Sequence, residues 1–592
     1  MTRQADNKGY GTLFFAVCVM ISAWHCFVMA VDTQLGGVGG LLHNWRAAAI
    51  ALANALLLLA PYWLLPRRWR CLVWIPVVLL TLWCLMHMCY CRVYDDLMPW
   101  RSFALTGNVN TTLAASTLSL LRWQDLLVAL PPLGLLAIHI VLRRRHVTMK
   151  SDTAALKPFL VTIATALLVG VVGYIDGDTN WARRFLHNYS NRSYYARNGL
   201  LPYAAFTLLE EFRTRSITSD ERAQLQSFLD QDCPHYSDNN YCRVAQRNLV
   251  LLIVESLHTW PIGMTVDGRE VTPVLNALVS GEQQGVIYAP HVLFQTSHGH
   301  SSDAHFIYNT GLLPLLGGAV AVSHGDGPYP TLAAALVGYD CREVICTPGI
   351  NWNQTVTART YGMDSLYTRD DLVAAGDLQR CANVDDAALT AFAARLLPQL
   401  QEPFFLEMVT MTMHAPYTAT RVPQSWIMSS DTLNAEARGY LSCVHLTDSC
   451  IGAFINDLHR AGLSQRTVVA IVSDHTQLYL NRVKGLSDRQ ASPRDWGIPL
   501  IIAGCDTTLR YEPVIGQVDI FPTLLDVMGA NSNSPWKGLG HSILRYPVTS
   551  AIQPRNMSVI GDSSALTSHQ RQAWDFSRLL ILDRHNWHHP SR

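Results

Sequence analysis

The sequence predicts an α/β protein in two parts: a helical membrane anchor, and a domain with a mainly parallel sheet between helices. Apolar stretches long enough to cross a membrane recur within the first 176 residues, and short apolar runs alternate with helical periodicity from residue 248 onward. The chain is 49% hydrophobic and 15% charged, which is too apolar for a wholly soluble protein and too polar for an all-membrane one. At 592 residues the chain is too long to fold around one ordinary hydrophobic core, so we expect at least two domains.

The overall charge gives no reason to expect a nucleic acid partner. Lys+Arg and Asp+Glu both total 45, so the formal net charge is zero. The sequence also contains no zinc finger or other recognisable nucleic-acid module. We therefore predict partners of another kind.

The membrane anchor is predicted to contain five transmembrane helices. Each stretch approaches the ~20 residues that a helix needs to cross ~30 Å of hydrocarbon. The first also resembles a cleaved signal peptide, but no small-x-small cleavage site follows it and four more spans come after it. The five predicted spans are Gly11–Val31, Ala47–Leu65, Cys71–Tyr90, Trp123–Leu142 and Pro158–Tyr174.

Basic residues predict the orientation of these helices. They precede the first span and lie in the second-to-third and fourth-to-fifth loops, which places those segments in the cytoplasm by the positive-inside rule. Five spans then place everything after about Asp176 outside a bacterial cytoplasmic (inner) membrane, with the N-terminus cytoplasmic. The basic residues are Arg3, Lys8, Arg67, Arg68, Arg70, Arg143, Arg144, Arg145 and Lys150.

We interpret the spans as an anchor rather than a transport pathway. Only His25 and His87 are ionisable residues near span interiors, and helix packing accounts for both. The predicted domains are the membrane anchor at 1–176, a polar helical connector at 177–247, a catalytic domain at 248–546 and a tail packed on it at 547–592.

Five apolar runs after the connector predict buried strands, separated by helical stretches such as Asp385–Leu400 and Ala435–Ala461. In parallel sheets, ligands bind beyond the carboxyl ends of the strands. This rule selects Glu255, Thr347, His414 and the pair Asp474-His475. The predicted strands are Leu249–Val254, Glu343–Cys346, Phe404–Thr410, Val468–Val472 and Leu500–Ala503.

Ser301 is the candidate nucleophile. It opens a short helical run that Gly311 can end, so it is either an N-cap or a hydroxyl at a helix terminus that attracts phosphate. A carboxylate after so apolar a run as Leu249–Val254 is costly unless it is paired, metal-bound or solvent-facing. We expect Glu255, Ser301, Asp474 and His475 to meet around one divalent metal ion. Three oxygens and one nitrogen suit Mn²⁺ or Zn²⁺ better than Mg²⁺.

Several motifs, taken in this order, resemble the alkaline phosphatase/sulfatase superfamily, and above all its lipoteichoic acid synthase group of membrane phosphoglycerol transferases. The resemblance covers about 245–545. It rests on Val254-Glu-Ser-Leu, Thr272-Pro-Val-Leu-Asn-Ala-Leu, Ser297-His-Gly-His-Ser-Ser-Asp-Ala-His, Asn351-Trp-Asn, Thr412-Met-His-Ala-Pro-Tyr, Ser473-Asp-His and Gln517-Val-Asp-Ile-Phe-Pro-Thr-Leu-Leu.

The resemblance implies roles for individual residues. Glu255, Asp474 and His475 would bind a divalent cation, which is Mn²⁺ in many relatives. Ser301 occupies the slot of the family's nucleophilic Thr. Trp352 and His414 would line the headgroup pocket. Members of this group transfer glycerol phosphate from phosphatidylglycerol and release diacylglycerol.

The sequence departs from the family pattern around the expected headgroup pocket. His305 replaces an acidic residue, Gln354 replaces an Arg, and Thr347 replaces an Asp. Losing the Arg removes a fixed cation from the pocket. The substrate-binding set is therefore predicted as Trp352, Asn353, His414, Thr347 and Gln354, while the headgroup itself is left open.

The function expected from these residues is metal-dependent phosphoglycerol transfer through a phospho-Ser301 intermediate, with His414 assisting. The donor is a phosphatidylglycerol-like membrane phospholipid, and the acceptor is an envelope glycan or polymer. A phosphoethanolamine transferase is the nearest alternative. A sulfatase is disfavoured because no x-Pro-x-Arg follows Ser301, and a non-catalytic scaffold is disfavoured because the metal set is complete.

Cysteines and the tail carry smaller predictions. Cys233 and Cys242 flank a polar loop and are possible disulfide partners, whereas the spacings of Cys341 with Cys346 and of Cys443 with Cys450 disfavour pairing. The aromatic tail is predicted to dock on the catalytic domain. Three histidines around Trp587 are a weaker metal candidate, namely His585, His588 and His589.

Overall fold

The computed structural model divides the chain into two compact units, Met1–Arg213 and Thr214–Arg592. The boundary falls inside the segment 177–247 that the sequence marks as a connector. The structure describes residues 10–32, 45–94, 97–98, 121–144, 156–174, 191–211, 217–232, 247–316, 318–349, 351–377, 386–415, 417, 425–476, 497–530, 534–554 and 556–582.

The first unit is helical. Four of its helices are long and apolar enough to cross a membrane among the described residues: Thr12–Ala30, Trp45–Leu64, Trp74–Cys91 and Leu156–Tyr174. The other predicted span also forms a helix, but its apolar part, Leu126–Ala137, is shorter. The helices are α1 Tyr10–Asp32, α2 Trp45–Leu59, α3 Arg67–Arg70, α4 Trp74–Tyr94, α5 Leu126–Arg144, α6 Leu156–Tyr174, α7 Asn191–Asn198 and α8 Leu200–Glu211.

The last two helices of this unit, α7 and α8, pack against its membrane-type helices. The Leu201 backbone N–H donates to Asn54 Oδ1 on α2 at 2.7 Å, and Tyr174 Oη donates to the Asn198 carbonyl at 2.7 Å. Tyr194, Tyr195 and other buried residues of these helices share a core with α1 and α4. The first part of the predicted connector therefore belongs structurally to the anchor unit.

The second unit is built on a nine-stranded sheet with the order β10-β4-β9-β8-β1-β7-β5-β6, in which β11 also pairs with β4. All pairings are parallel except those of β9, which is antiparallel to β4 and β8. The sheet strands are β1 Asn248–Val254, β4 Val286–Leu293, β5 Asp340–Ile345, β6 Ser365–Tyr367, β7 Phe404–Val409, β8 Thr467–Ser473, β9 Ile498–Ala503, β10 Leu509–Arg510 and β11 Ile515–Gly516.

This sheet confirms the predicted fold class, and each of the five predicted strands is present within it. The sequence pattern missed β4, whose apolar run is broken by Pro290, and it gave no direction for β9. Two short hairpins lie outside the sheet: β2 Thr265–Val266 with β3 Arg269–Glu270, and β12 Ser550–Ile552 with β13 Val559–Gly561.

Helices cover both faces of the sheet because alternate residues of the buried strands point to opposite sides. Leu249, Leu251 and Ile253 of β1 join one core, and Val250, Leu252 and Val254 join the other. The helices are α9 Ser219–Asp232, α10 Pro273–Val279, α11 Ser301–Thr310, α12 Val320–Ser323, α13 Leu332–Ala335, α14 Gln354–Tyr361, α15 Arg369–Ala374, α16 Asp386–Leu396, α17 Ala435–Arg460, α18 Ile520–Val527 and α19 Thr567–Leu582.

The C-terminal segment packs on the first of these cores. Trp574 and Ile581 of α19 are buried there, and Phe228 of α9 stacks on His569 with ring centroids 4.3 Å apart. The histidines around Trp587 and the pair Cys233 and Cys242 lie outside the described residues. As predicted, Cys341 forms no disulfide bond with Cys346, and Cys443 forms none with Cys450.

Candidate active site

The structure brings Glu255, Ser301, Asp474 and His475 together. Ser301 Oγ lies 3.4 Å from Glu255 Oε2 and 3.3 Å from His475 Nε2. His475 Nε2 lies 3.4 Å from Asp474 Oδ2 and 4.0 Å from Glu255 Oε1. All four side chains are buried, so the group forms one compact polar site inside the domain.

The sheet explains why residues so distant in sequence meet. β1 and β8 are adjacent parallel strands, and Val254 pairs with Ser473. Glu255 and Asp474 are the next residues along each strand, so both side chains emerge at the same carboxyl edge. Helix α11 begins at Ser301, which brings its hydroxyl to that edge.

The donors fit a single divalent cation. Ligand atoms of Glu255, Asp474 and His475 all lie within 4.8 Å of one another. Asp474 Oδ2 is buried and has no hydrogen-bond partner among the described residues. Two carboxylates, an imidazole nitrogen and a serine oxygen are a donor set suited to Mn²⁺ or Zn²⁺.

His475 is oriented for such a role by its second nitrogen. His475 Nδ1 lies 2.8 Å from the Thr476 carbonyl oxygen, which can only accept a hydrogen bond. Nδ1 therefore carries the proton in the neutral ring, and Nε2 directs a lone pair toward Ser301 and the carboxylates.

The electrostatics of the site favour a bound cation. Burial, together with the neighbouring Glu255 carboxylate, raises the pKa of Asp474 to about 6. Burial alone would lower the pKa of His475, but Asp474 and Glu255 together reverse this effect and raise it. A cation between these groups would replace the protons that burial otherwise favours.

Ser256 is a site residue that the sequence reasoning missed. Its Oγ donates to Glu255 Oε1 at 2.7 Å, and its backbone N–H donates to Asp474 Oδ1 at 2.7 Å. Its φ of 52° is the left-handed conformation that non-glycine residues rarely adopt. The turn at Ser256 therefore positions both carboxylates. In the sequence, the Ser that follows Glu in the Val254-Glu-Ser-Leu motif could have identified this residue.

The loop before Ser301 is held by Asp303. Its Oδ2 accepts from the backbone N–H groups of Ser297 and Gly299, both at 2.9 Å. A Cβ on Gly299 would overlap the Asp303 carboxylate, so this approach requires glycine. Burial raises the pKa of Asp303 to about 7, against the lowering effect of these two backbone hydrogen bonds.

Histidines surround the Ser301 loop. Burial lowers the pKa of His300, and the charges of His475, His298 and His414 lower it further. The His300 and His475 rings lie 5.2 Å apart between centroids. His414 Nδ1 lies 2.7 Å from the Ala415 carbonyl, which assigns its proton to Nδ1 in the neutral ring. His414 therefore lies within electrostatic range of the loop before Ser301.

The predicted headgroup residues on the β5–α14 connection adopt unusual backbone conformations. Trp352 and Asn353 have φ values of 52° and 61°. Asn353 Nδ2 donates to the Ala321 carbonyl at 2.8 Å, which ties this turn to α12. Trp352 is half-buried against the second core.

In the described part of the chain, Thr347 and Gln354 form a hydrogen bond with each other and none with the four residues around Ser301. Thr347 Oγ1 donates to Gln354 Oε1 at 3.3 Å, and Gln354 Nε2 donates to Glu343 Oε1 at 3.4 Å. Glu343 Oε1 lies 3.9 Å from His305 Nδ1. The three positions that depart from the family pattern are therefore linked through one buried network.

Two family models match the chain. The sulfatase model matches residues 247–530, which contain the whole candidate site. Residues 247–530 form a domain of the alkaline phosphatase/sulfatase superfamily. The lipoteichoic acid synthase N-terminal domain model matches residues 1–220, which contain the four span-length helices. The chain thus combines apolar helices of spanning length with an enzyme domain of this superfamily.

One relative and two solved structures are similar to this chain. The chain is 24% identical over 554 residues to a lipoteichoic acid synthase from Staphylococcus aureus, covering 90% of this chain and 84% of the relative. The lipoteichoic acid synthase LtaP from Listeria monocytogenes has a similar fold, with a TM-score of 0.52 and 17% identity, covering 61% of this chain and 98% of that one. The lipooligosaccharide phosphoethanolamine transferase EptA from Neisseria meningitidis gives a TM-score of 0.49 and 14% identity, covering 88% and 96% of the two chains.

Proposed function

We propose that this superfamily member is a metal-dependent phosphoglycerol transferase. It moves a glycerol phosphate headgroup from a membrane phospholipid to an envelope glycan or polymer. The observation that carries the proposal is the position of Ser301 Oγ, 3.4 Å from Glu255 Oε2 and 3.3 Å from His475 Nε2 at a helix N-terminus. A serine in this setting is equipped to attack phosphorus.

Two further observations support a lipid donor. The anchor has four helices of spanning length, and its family model is that of lipoteichoic acid synthases. When the 19-residue helix α5 is counted as a fifth span, the positive-inside pattern orients the N-terminus toward the cytoplasm and the catalytic unit toward the outside. There the donor headgroup occupies the same membrane's outer leaflet. A phosphatidylglycerol-like lipid satisfies both requirements.

Catalysis begins with Ser301. Glu255, Asp474 and His475 would hold a divalent cation, which we propose is Mn²⁺, and that ion would lower the pKa of the serine hydroxyl and stabilise charge on a phosphoryl oxygen. Ser301 Oγ forms a bond to phosphorus while the bond from phosphorus to the diacylglycerol oxygen breaks. The serine loses its proton and the departing oxygen gains one, so the step is neutral in protons and leaves glycerol phosphate on Ser301.

In the second half of the reaction, the phosphoryl group passes from Ser301 to a different alcohol, the acceptor. An acceptor hydroxyl attacks the same phosphorus, and Ser301 Oγ leaves and regains its proton. His414 is the side chain we assign to proton transfer at the exchanging alcohols, because its proton lies on Nδ1 and leaves Nε2 basic. The N-terminus of α11 favours the negatively charged phosphoryl group throughout.

The deciding experiment uses the purified full-length chain with phosphatidylglycerol vesicles and Mn²⁺, and it measures released diacylglycerol. Ser301→Ala should abolish release. Ser302→Ala is the matched control, since the Ser302 hydroxyl bonds to the Gly299 carbonyl at 2.8 Å and not to the cation donors. We expect Ser302→Ala to retain most of the activity.

The outcomes separate the candidate functions. Diacylglycerol release by wild type and by Ser302→Ala, but not by Ser301→Ala, supports the proposal. Release from phosphatidylethanolamine but not phosphatidylglycerol would identify a phosphoethanolamine transferase, which Gln354 at the Arg position of the family makes the leading rival. No release from either lipid by metal-loaded protein would refute a lipid donor of these classes.

A further inference from the structure

A second cluster of potential metal ligands lies beneath the candidate active site. It consists of His305, Glu343 and Glu407, whose ligand atoms all lie within 4.8 Å of one another. All three side chains are buried, with 3%, 1% and 0% of their surface exposed. The cluster shares no residue with the group at Ser301.

The sheet register creates this cluster. Glu343 and Glu407 are direct partners on the adjacent parallel strands β5 and β7, so their side chains point to the same face. His305 of α11 covers them from above, with Nδ1 3.3 Å from Glu407 Oε1 and 3.9 Å from Glu343 Oε1. Two carboxylates side by side in a core are costly unless protons or a cation neutralise them.

No Lys or Arg in the described part of the chain forms an ion pair with either carboxylate, and His305 is their only ion-pair partner there. Asn309 Nδ2 donates to Glu407 Oε2 at 2.8 Å, and Gln354 Nε2 donates to Glu343 Oε1 at 3.4 Å. Glu407 Oε1 and His305 Nε2 have no hydrogen-bond partner among the described residues, although both atoms are buried.

We propose that His305, Glu343 and Glu407 hold a second divalent cation, of the first-row class that includes Zn²⁺ and Mn²⁺. One imidazole nitrogen and two carboxylate oxygens are a donor set for these ions. The unpartnered Oε1 of Glu407 lies where such an ion would sit, next to His305 Nδ1. The proposal is independent of which headgroup the enzyme transfers.

The position of this cation indicates a positioning role. His305 lies four residues after Ser301 on α11, roughly 6 Å along the helix axis. A buried ion bound to His305 and to two sheet strands ties α11 to the sheet directly below the nucleophile. Glu343 and Glu407 lie within strands and not at the carboxyl edge of the sheet where Ser301 lies, so the ion acts on catalysis through the placement of Ser301.

Shared protons are the competing explanation, because burial raises the pKa of Glu407 to about 8 and that of Glu343 well above its usual range. The two explanations differ in metal content. We would purify the full chain without chelators, equilibrate it with Zn²⁺ and Mn²⁺, dialyse it, and count bound ions by mass spectrometry. Wild type should hold two ions per chain.

Three variants assign the ions. Glu407→Gln and Glu343→Gln should each lose the ion at the buried cluster beneath Ser301 and keep the ion at Ser301. Glu255→Gln should lose the ion at Ser301 and keep the ion at the buried cluster. One ion per wild-type chain, or two ions retained in both buried-site variants, would overturn the proposal. Either glutamine variant that folds is sufficient for this assignment.

Thermal stability at pH 8.5 provides a second readout. Glutamine mimics a protonated glutamate, so if protons neutralise the cluster, Glu407→Gln should melt at the same or a higher temperature than wild type. If a cation neutralises the cluster, Glu407→Gln should melt at a lower temperature than metal-loaded wild type. Chelation should then lower the melting temperature of wild type toward that of the variant. An equal or higher melting temperature for Glu407→Gln than for metal-loaded wild type would contradict the second cation.

Discussion

At the residue scale, the turn after β1 shows how the backbone prepares the candidate metal site. Ser256 is held at a φ of 52°, and this conformation aims its hydroxyl at Glu255 and its N–H at Asp474. Non-glycine residues in this region cost about 1–3 kcal/mol unless the surroundings compensate. The two hydrogen bonds to carboxylates, both 2.7 Å long, provide that compensation.

We predict that Ser256→Ala weakens metal binding at the Ser301 site about 10–100-fold, the range typical of lost contacts to metal ligands. The variant loses the hydroxyl that orients Glu255 Oε1 but keeps the backbone N–H. Calorimetric titration of chelator-stripped protein with Mn²⁺ measures the effect.

Ser256→Gly separates the hydroxyl from the backbone strain. Glycine adopts positive φ freely, so this variant should fold with undiminished stability and still show the weaker metal binding. Wild-type affinity in Ser256→Gly would mean that the hydroxyl plays no part in the metal site.

Residue chemistry in the sequence was sufficient to predict that Glu255, Ser301, Asp474 and His475 lie together. Glu255 and Asp474 follow apolar strands directly, so their costly positions stand out in the sequence alone. The buried cluster did not stand out in this way. Glu343 and Glu407 lie within strands, and only the pairing of β5 with β7 brings them together. The pairing partner of a strand is a tertiary property that one sequence does not contain.

At the scale of single elements, α11 is placed by its C-terminal turn as well as by its N-terminal loop. Gly311 caps the helix with a φ of 67°, and its N–H donates to the Ile307 carbonyl. A Cβ there would lie 2.7 Å from Gly538 Cα and 2.8 Å from Phe521 Cδ1. The helix therefore ends against α18 and the loop that follows it.

We predict that Gly311→Ala destabilises the protein through both strain and overlap. The left-handed conformation costs alanine ~1–2 kcal/mol, and overpacking adds ~1–3 kcal/mol. Gly462→Ala is the matched control, because Gly462 has a φ of 70° but a Cβ added there would meet no atom within 4 Å. Thermal denaturation of the two variants measures the difference.

Equal destabilisation of Gly311→Ala and Gly462→Ala would show that overlap with Phe521 and Gly538 contributes nothing. A larger loss in Gly311→Ala, accompanied by reduced activity, would support the placement of Ser301 by the far end of its helix.

Helix α19 is the other element whose contribution can be tested. Trp574 is buried in the first core, and Ser577 Oγ bonds the backbone of Leu313 just beyond α11. We predict that Trp574→Ala lowers the free energy of unfolding by ~3–5 kcal/mol, as for other buried aromatic truncations. Denaturant titration measures this change.

Gln572→Ala on the exposed face of the same helix should change stability little, within about 0.5 kcal/mol. A small effect of Trp574→Ala would mean that the tail is dispensable to the core. The sequence supported docking of this tail through its aromatic and apolar residues, but it gave no partner for them, because α9 and α11 lie hundreds of residues earlier in the chain.

At the scale of the whole molecule, the catalytic unit buries several carboxylates whose pKa values are raised. Burial raises the pKa of Asp519 to about 7 and that of Glu407 to about 8, and that of Asp474 to about 6. Unfolded aspartate and glutamate titrate near 4. The metal-free folded chain therefore holds protons between about pH 4 and 8 that the unfolded chain has released.

The sign of the resulting pH dependence follows from proton linkage. When the folded state binds more protons than the unfolded state, the free energy of unfolding falls as pH rises, by ~1.4 kcal/mol per pH unit for each proton. Buried histidines such as His300 and His541 have lowered pKa values and act in the opposite direction below about pH 6.5, where the unfolded chain would protonate them. We therefore predict that chelator-treated protein loses stability from about pH 6.5 to 8. Bound metal holds Asp474 and Glu407 as carboxylates, so metal-loaded protein should show a shallower slope over the same range.

Melting temperatures of chelated and Mn²⁺-loaded protein across this pH range measure both slopes. Asp519 contributes to both, because it accepts from the His541 and Gly516 backbone N–H groups and lies in neither cation cluster. Asp519→Asn should therefore flatten both curves by the same amount. A stability that rises with pH in the chelated protein would contradict the prediction, because it would require these carboxylates to be ionised more readily in the fold than in the unfolded chain.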